Sequence, residues 1–308
     1  MKRWLLSTLG YLGYTLAILV FLLWWRFPAA EVASWCENRL QARYPSLSWR
    51  IDSLKWAFPN RFIFKGIQAH AKGNTKEEMI HVKILELSFD PVSLMRKNRR
   101  VSYQMHLYDG IGTGRIHVGG GRGVSCQGRF VGLNLKEMRG LAASLKRSLQ
   151  GQAGATFSWQ GSWPDLNTKE VSGMLTMENG LLPLRKPVLG LKALPFSRLE
   201  ASVMHQDRDW LVDKGVLEAK SMHVSFKGKI IPGPDLGRSR IKISGSLTPR
   251  SELFRAAGNR DMATAIRGFL RKGALSFTVS GTAAEPAVQF PGGLSAALRR
   301  FHSRGGRP

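Results

Sequence analysis

The chain has 308 residues, 46 of them Lys or Arg and 21 Asp or Glu, for a net charge of +25. Acidic residues this few and this dispersed disfavour a paired-carboxylate hydrolase, and the 2 cysteines supply neither a disulfide scaffold nor a thiolate metal knuckle. A basic balance ordinarily points to nucleic acid; here the cations are scattered, as at Arg96, Lys97, Arg99 and Arg100 or Arg238, Arg240 and Lys242, in the manner of solvated strand faces, and no nucleic-acid partner is expected.

From Trp4 to Trp25 there is no charged residue. As a helix this run is about 33 Å long at ~1.5 Å per residue, enough for a bilayer's hydrocarbon core. It exceeds the roughly 7–15 apolar residues of a secretory signal and ends in Leu22-Leu23-Trp24-Trp25-Arg26 with no small-x-small cleavage site. Residues 4–25 therefore read as an uncleaved transmembrane helix behind a cytoplasmic stub, 1–3, with Trp4, Trp24 and Trp25 at the headgroup boundaries. Gly10-x-x-Gly13 lacks the spacing of a helix-dimerisation face. Lys2 and Arg3 on one side nearly balance Arg26, Arg39 and Arg43 on the other. Long folded domains translocate largely regardless of charge, so the expectation is a cytoplasmic N-terminus and a body outside the cytoplasm, periplasmic in a Gram-negative cell, on a single-pass inner-membrane anchor.

Pro28 opens an amphipathic helix over 28–44, with Val32, Trp35, Cys36 and Leu40 on its apolar stripe and Pro45 at its end. The period then changes to two over a first β half, 45–135. Trp49 and Ile51 alternate with polar residues, and Leu54, Trp56 and Phe58 resume one position out of phase, as a bulge near Ser53 allows. Phe62 and Phe64, Val82 and Ile84, Leu87 and Phe89, and the run Val101, Tyr103, Met105, Leu107 continue the alternation, which makes a one-sided sheet whose apolar face needs covering. A connecting helix spans 136–150, with Met138, Leu141, Ala142, Leu145 and Leu149 on one side. A second β half, 151–290, repeats a strand, a glycine and a proline, as in Val224 to Pro232, Ile241 to Pro249 and Phe277 to Pro286. A helical insertion over 250–271 carries Leu253, Phe254, Met262, Ile266 and Leu270 and closes one end. Residues 291–308 form a basic flexible tail. The 33 glycines, above the usual ~7%, are expected at turns and strand ends.

The fold class is therefore mainly β with a single N-terminal transmembrane helix: an elongated, curved, mostly antiparallel sheet, an open groove or flattened barrel, with a few short capping helices. About a dozen strands ~4.8 Å apart give a sheet some 55 Å long. Trp49, Ile51, Trp56, Phe62, Tyr103, Met105 and Leu107 are the candidate lining of an apolar groove. No catalytic, cofactor or metal residue is expected. The chain has no Gly-x-Ser-x-Gly elbow, and its histidines form no i, i+4 pair on a helix. His81, His106 and His117 read as polar strand positions, Asp109 as a turn former, and Gly110-x-Gly112-x-Gly114 lacks the spacing and the helix of a phosphate loop. Cys36 and Cys126 allow one disulfide in an oxidising compartment or two separate thiols.

The N-terminal anchor, the Pro28 helix with Trp35 leading to Arg43-Tyr44-Pro45, the run Gly173-Met174-Leu175-Thr176-Met177-Glu178-Asn179-Gly180-Leu181-Leu182 and the closing Val279-Ser280-Gly281-Thr282-Ala283-Ala284-Glu285-Pro286 together resemble protein N of the type II secretion system. The layout is also similar to that of AsmA-like envelope proteins. The first resemblance implies a bitopic inner-membrane accessory of the machine that moves folded proteins across the outer membrane, acting through other secretion or envelope proteins. The second implies lipid traffic along an open β-groove, with phospholipid as the occupant of the apolar face. Neither brings a catalytic residue set.

Overall fold

The computed structural model describes residues 10–15, 18, 19, 21, 22, 25–72, 74–94, 96, 98–120, 123–162, 167–256, 260–290 and 294. It is mainly antiparallel β. Its strands are β1 (Leu47–Ala57), β2 (Arg61–Ala71), β3 (Asn74–Phe89), β4 (Arg99–Leu107), β5 (Gly110–Val118), β6 (Gly123–Asn134), β7 (Gln150–Ser162), β8 (Asn167–Val188), β9 (Leu191–Gln206), β10 (Asp209–Glu218), β11 (Met222–Ile231), β12 (Arg240–Pro249), β13 (Leu275–Gly281) and β14 (Pro286–Gln289). All fourteen belong to one open sheet whose spatial order is the chain order, so the two expected β halves are continuous. The helices are α1 (Ala29–Arg43), α2 (Pro91–Leu94), α3 (Arg139–Leu145), α4 (Ser251–Ala256) and α5 (Arg260–Phe269).

Tight turns make this meander. Between β4 and β5, Tyr108 and Asp109 have φ of 49° and 61°, and between β8 and β9, Leu189 and Gly190 have φ of 50° and 83°. Two successive left-handed residues match the right-handed twist of the strands they join. The expectation of Asp109 as a turn former holds, and its carboxylate also receives Lys83 Nζ at 2.8 Å. That hydrogen bond holds the Asp109 carboxyl below its usual range.

The phase change expected near Ser53 is a concerted kink, not a bulge in one strand. Ile51 pairs with Ile67 and Ser53 with Lys65 in unbroken register, but the Asp52/Gly66 position between them is skipped. In β2 and β3 the Gly66/Lys83 position is likewise skipped, between Ile67 paired with Val82 and Lys65 paired with Ile84. Each of the three strands thus turns over at the same level. A one-residue register shift between Val82 and Ile84 ends the effect at β4. Ile51, Leu54, Ile67, Phe64, Val82 and Leu85 consequently pack in one cluster despite their three-residue spacings.

Helix α1 covers that cluster. Of its expected stripe Val32 and Cys36 pack on the cluster and Leu40 is half-buried, whereas Ala33, at 8% exposure, is the buried residue and Trp35 stands 59% exposed with the Arg39 guanidinium 5.5 Å from its ring centroid. Ala33 is the side chain of α1 that the cluster buries, a position where a small side chain lets helix and sheet pack closely. The connecting helix is shorter than expected. Asn134 Oδ1 accepts from Lys136 N at 3.1 Å and opens a 3-10 turn over Leu135–Glu137, and α3 stops at Leu145 because Lys146 turns left-handed at φ 54°. Leu149 lies beyond it, just before β7. Within the stretch expected as a helical insertion lie α4 and α5, where Leu253 and Ile266, both at 0% exposure, seal Leu217, Val224, Leu247 and Leu275 of the last strands.

Of the expected anchor, residues 10–15, 18, 19, 21, 22 and 25 are described, and all are helical. Trp4, Trp24 and the rest lie outside the described residues. Among the described residues no helix is long and apolar enough to cross a membrane. Of the tail only Leu294 is described, and it is fully buried in the cluster under α4 and α5.

Candidate functional site

Residues paired across an antiparallel ladder share a face. Following the pairs through all fourteen strands gives an uninterrupted row: Trp56, Phe62, Leu87, Tyr103, Gly114, Gly128, Phe157, Gly173, Val203, Val212, Gly228, Ile243, Val279, Val288. Each member is apolar or glycine. A second row beside it runs Leu54, Phe64, Leu85, Met105, Gly112, Phe130, Ala155, Leu175, Ala201, Gly215, Phe226, Gly245, Phe277, from β1 to β13. Ile51, Ile67, Val82 and Leu107 form a third row at the β1 to β4 end, with Trp49 next to it opposite Ala69. All the residues expected to line a groove therefore share one face. At ~4.8 Å per strand the long row spans about 62 Å along the sheet.

The glycines in these rows correct the expectation that they mark turns and strand ends. They sit in mid-strand, opposite aromatic rings. A Cβ on Gly112 would meet the Phe130 ring, one on Gly128 the rings of Tyr103 and Phe157, one on Gly215 the Phe226 ring, and one on Gly245 the Phe277 ring. Each ring packs against the neighbouring glycine and covers its bare backbone. Phe130 and Phe157 stack with centroids 5.8 Å apart at 15°.

The face is not an open trough throughout. At one end α1 and Phe27 pack over Trp49, Ile51, Phe62 and Ile67, and Trp56 stacks on Phe62 at 6.0 Å. At the other end α4, α5, Phe290 and Leu294 close over β9 to β13. Between them lies a stretch belonging to neither cluster, where Phe130 and Phe157 are half-buried and Leu175 is 40% exposed. Tyr103, at 8% exposure, lies at the start of this stretch over Gly114 and Gly128. Burial first, and then the charge and hydrogen bond of Cys126, push its hydroxyl well above the ordinary tyrosine range. Cys126 is a free thiol raised by burial and partly brought back by the Tyr103 hydrogen bond. Cys36, on α1, is also free and raised, by burial and then by Glu37. The open choice between a disulfide and two thiols resolves to two thiols.

The opposite face is polar and carries the described clefts. One of ≈ 670 Å³ is lined by Thr113, Arg115, Gln127, Arg129, Ser158 and Ser172 among others, and a second of ≈ 430 Å³ by Arg61, Glu86, Ser102, Gln104 and again Thr113 and Arg115. Alternation makes this face legible too: every member of the apolar rows is flanked in its strand by a residue pointing to the other side. The candidate lining drawn from the sequence stopped at Leu107. Phe130, Phe157 and Leu175 carry the same period-two signal but are diluted by the glycines between them. Arg115 and Arg129 carried no signal beyond alternation itself.

Among the described residues no group of three or more His, Cys, Asp or Glu side chains is arranged to hold a metal ion. His106 and His117 lie on the ladder opposite Ile111 and Arg100. No protein-family model, curated protein or solved structure matches this chain.

Proposed function

We propose that the chain is an envelope protein held in the inner membrane by its N-terminal apolar run, with the sheet in the periplasm, and that it serves as an accessory component of a type II secretion system through protein–protein contacts made by the apolar face. The row of apolar residues and glycines crossing every strand, uncovered by described helices between its two helix-capped ends, carries this reading, because an exposed apolar surface on a sheet is what a partner-binding or ligand-binding face requires. The uncharged run from Trp4 to Trp25 and the resemblance of the Gly173–Leu182 and Val279–Pro286 runs to protein N of that system support the placement and the assembly.

A second reading, an AsmA-like lipid-binding or lipid-transfer protein, is favoured by one observation: the stretch around Phe130, Phe157 and Leu175 lies between two helix-covered ends and is itself uncovered by described helices. Burial of acyl chain there is favourable by roughly 25 cal/mol per Å². Photo-crosslinking from a residue introduced at Leu175, in intact cells, separates the two. Adducts with a discrete envelope or secretion protein support the first reading, and adducts or copurified phospholipid without a protein partner support the second. Labelling of a Ser276→Cys variant by a membrane-impermeant thiol reagent in spheroplasts tests the placement, and reaction only after lysis overturns it.

A further inference from the structure

We propose that the polar face of the sheet is a second binding surface, a cleft for an acidic oligosaccharide, that is, a sugar chain bearing carboxylates or phosphates. This goes beyond the apolar face and does not rest on it. The two larger of the described clefts share Thr113, Gly114 and Arg115, so they adjoin in one shallow polar surface from Arg61 on β2 to Ser202 on β9. Arg115 stands opposite Gln127, two residues from Arg129 on the same strand face, which sets the two guanidinium-bearing positions on a diagonal about 7–8 Å apart at Cα. No described carboxylate pairs with either. Glu86 is the one carboxylate among the described lining residues, and it lies at the far end, 3.9 Å from Arg61. Arg61 is itself about three strand spacings, ~14 Å, from Arg115 along the row Arg61, Ser88, Ser102, Arg115. A third cleft of ≈ 360 Å³ on the same face adds Arg100 and His117.

The chemistry of the remaining lining selects the ligand. Between and beyond the guanidinium groups lie Thr113, Gln127, Thr156, Ser158, Ser172 and Ser202, with Met174 as the exposed apolar side chain among them, a surface for the apolar face of a sugar ring. Hydroxyls and amides both donate and accept, which matches the vicinal hydroxyls of sugars, and guanidinium forks match carboxylate or phosphate bidentately. Single-stranded nucleic acid would need exposed aromatic platforms for its bases. The one aromatic in this lining, Phe157, belongs to the apolar row and stacks there on Phe130.

The test is titration of the full-length protein in a neutral-lipid nanodisc with oligogalacturonate, against neutral malto-oligosaccharide, single-stranded DNA and phosphatidylglycerol vesicles. The proposal expects saturable binding of oligogalacturonate alone. It expects a loss of about tenfold or more for the double variant Arg115→Gln, Arg129→Gln, the scale of two lost charge-assisted contacts. The charge-retaining Arg115→Lys, Arg129→Lys double variant should lose several-fold, because the fork is gone. The double variant Lys192→Gln, Lys220→Gln, with the same charge removed from exposed sites elsewhere, should stay within about twofold. An unchanged circular dichroism spectrum and melting temperature certify each variant, and the lysine double variant keeps the test decisive should the glutamine one misfold. Equal loss in the Lys192/Lys220 variant, no loss in the Arg115/Arg129 lysine variant, equal binding of the neutral sugar, or tighter binding of DNA or vesicles would each overturn it.

Discussion

Asp52 and Gly66 face each other across β1 and β2 at the position where the ladder between these strands is skipped, and Gly66 stands there in the left-handed region at φ 63°. A side chain on Gly66 would collide with the Asp52 carboxylate. This pair turns both strands over at one level and so keeps Ile51 and Leu54 on the same face beneath α1.

Gly66→Ala carries both strain and collision, so it should lower stability by more than about 1 kcal/mol, read as a melting temperature drop of a few degrees. Adding Asp52→Gly removes the collision but not the strain, and the double variant should recover part of the loss. A Gly66→Ala protein melting with the wild type would contradict the kink as described.

Leu253 and Ile266 are fully buried beneath α4 and α5, whereas Met174 is 47% exposed in mid-sheet. Leu253→Ala and Ile266→Ala should each cost about 2–5 kcal/mol, and Met174→Ala within about 0.5 kcal/mol. Denaturant titration ranks the three, and comparable effects at all of them would mean that α4 and α5 do not seal the last strands.

Burial holds the Tyr103 hydroxyl neutral to a pH well above the ordinary tyrosine value of 10.0. The unfolded chain releases this proton near that ordinary value, so the folded state binds more protons above it. The contribution is fully present below about pH 10 and lost as pH rises beyond. Melting temperatures compared between about pH 9 and about pH 11 should fall less for Tyr103→Phe than for the wild type. Parallel slopes would place Tyr103 in water.

Cys36 and Cys126 are separate, partly buried thiols, each raised chiefly by burial. Thiolate is the reactive form, so both should react slowly with a disulfide reagent near pH 8 and quickly once the chain is denatured. Tyr103→Phe removes the hydroxyl that steadies the Cys126 thiolate and should slow that residue alone. An intrachain disulfide seen by intact mass without reductant would refute the arrangement.

Much of this architecture was legible because period-two alternation survives wherever one face is buried: Val101 to Leu107, Trp49 and Ile51, and the amphipathic residues Leu253 and Ile266 all fall where their patterns place them. What was not legible depends on pairing partners. Gly112, Gly128 and Gly245 read as strand breakers in isolation; they are strand interiors because Phe130, Phe157 and Phe277 on adjacent strands lie over them. Trp35 fits the helical stripe by spacing, yet Ala33 takes the contact because the distance between α1 and the sheet, which no local pattern encodes, admits only a small side chain. The extent of the apolar face was hidden for the same reason, since Tyr103 and Val288 join one row only through the register of every strand between them.

Because each strand borders only the strands before and after it in the chain, the reach of this molecule behaves like a ruler graduated in hairpins. Inserting or deleting one hairpin between the two capped ends would change the apolar lane by about 10 Å, and it would have to remake the contacts that α3 makes with β3 and that Arg147 Nη2 makes, at 2.7 Å, with the Ala283 carbonyl before β14. The span is thus set jointly by the number of hairpins and by the bridge from Arg147 and Arg185 to the Ala283–Glu285 turn at the far end.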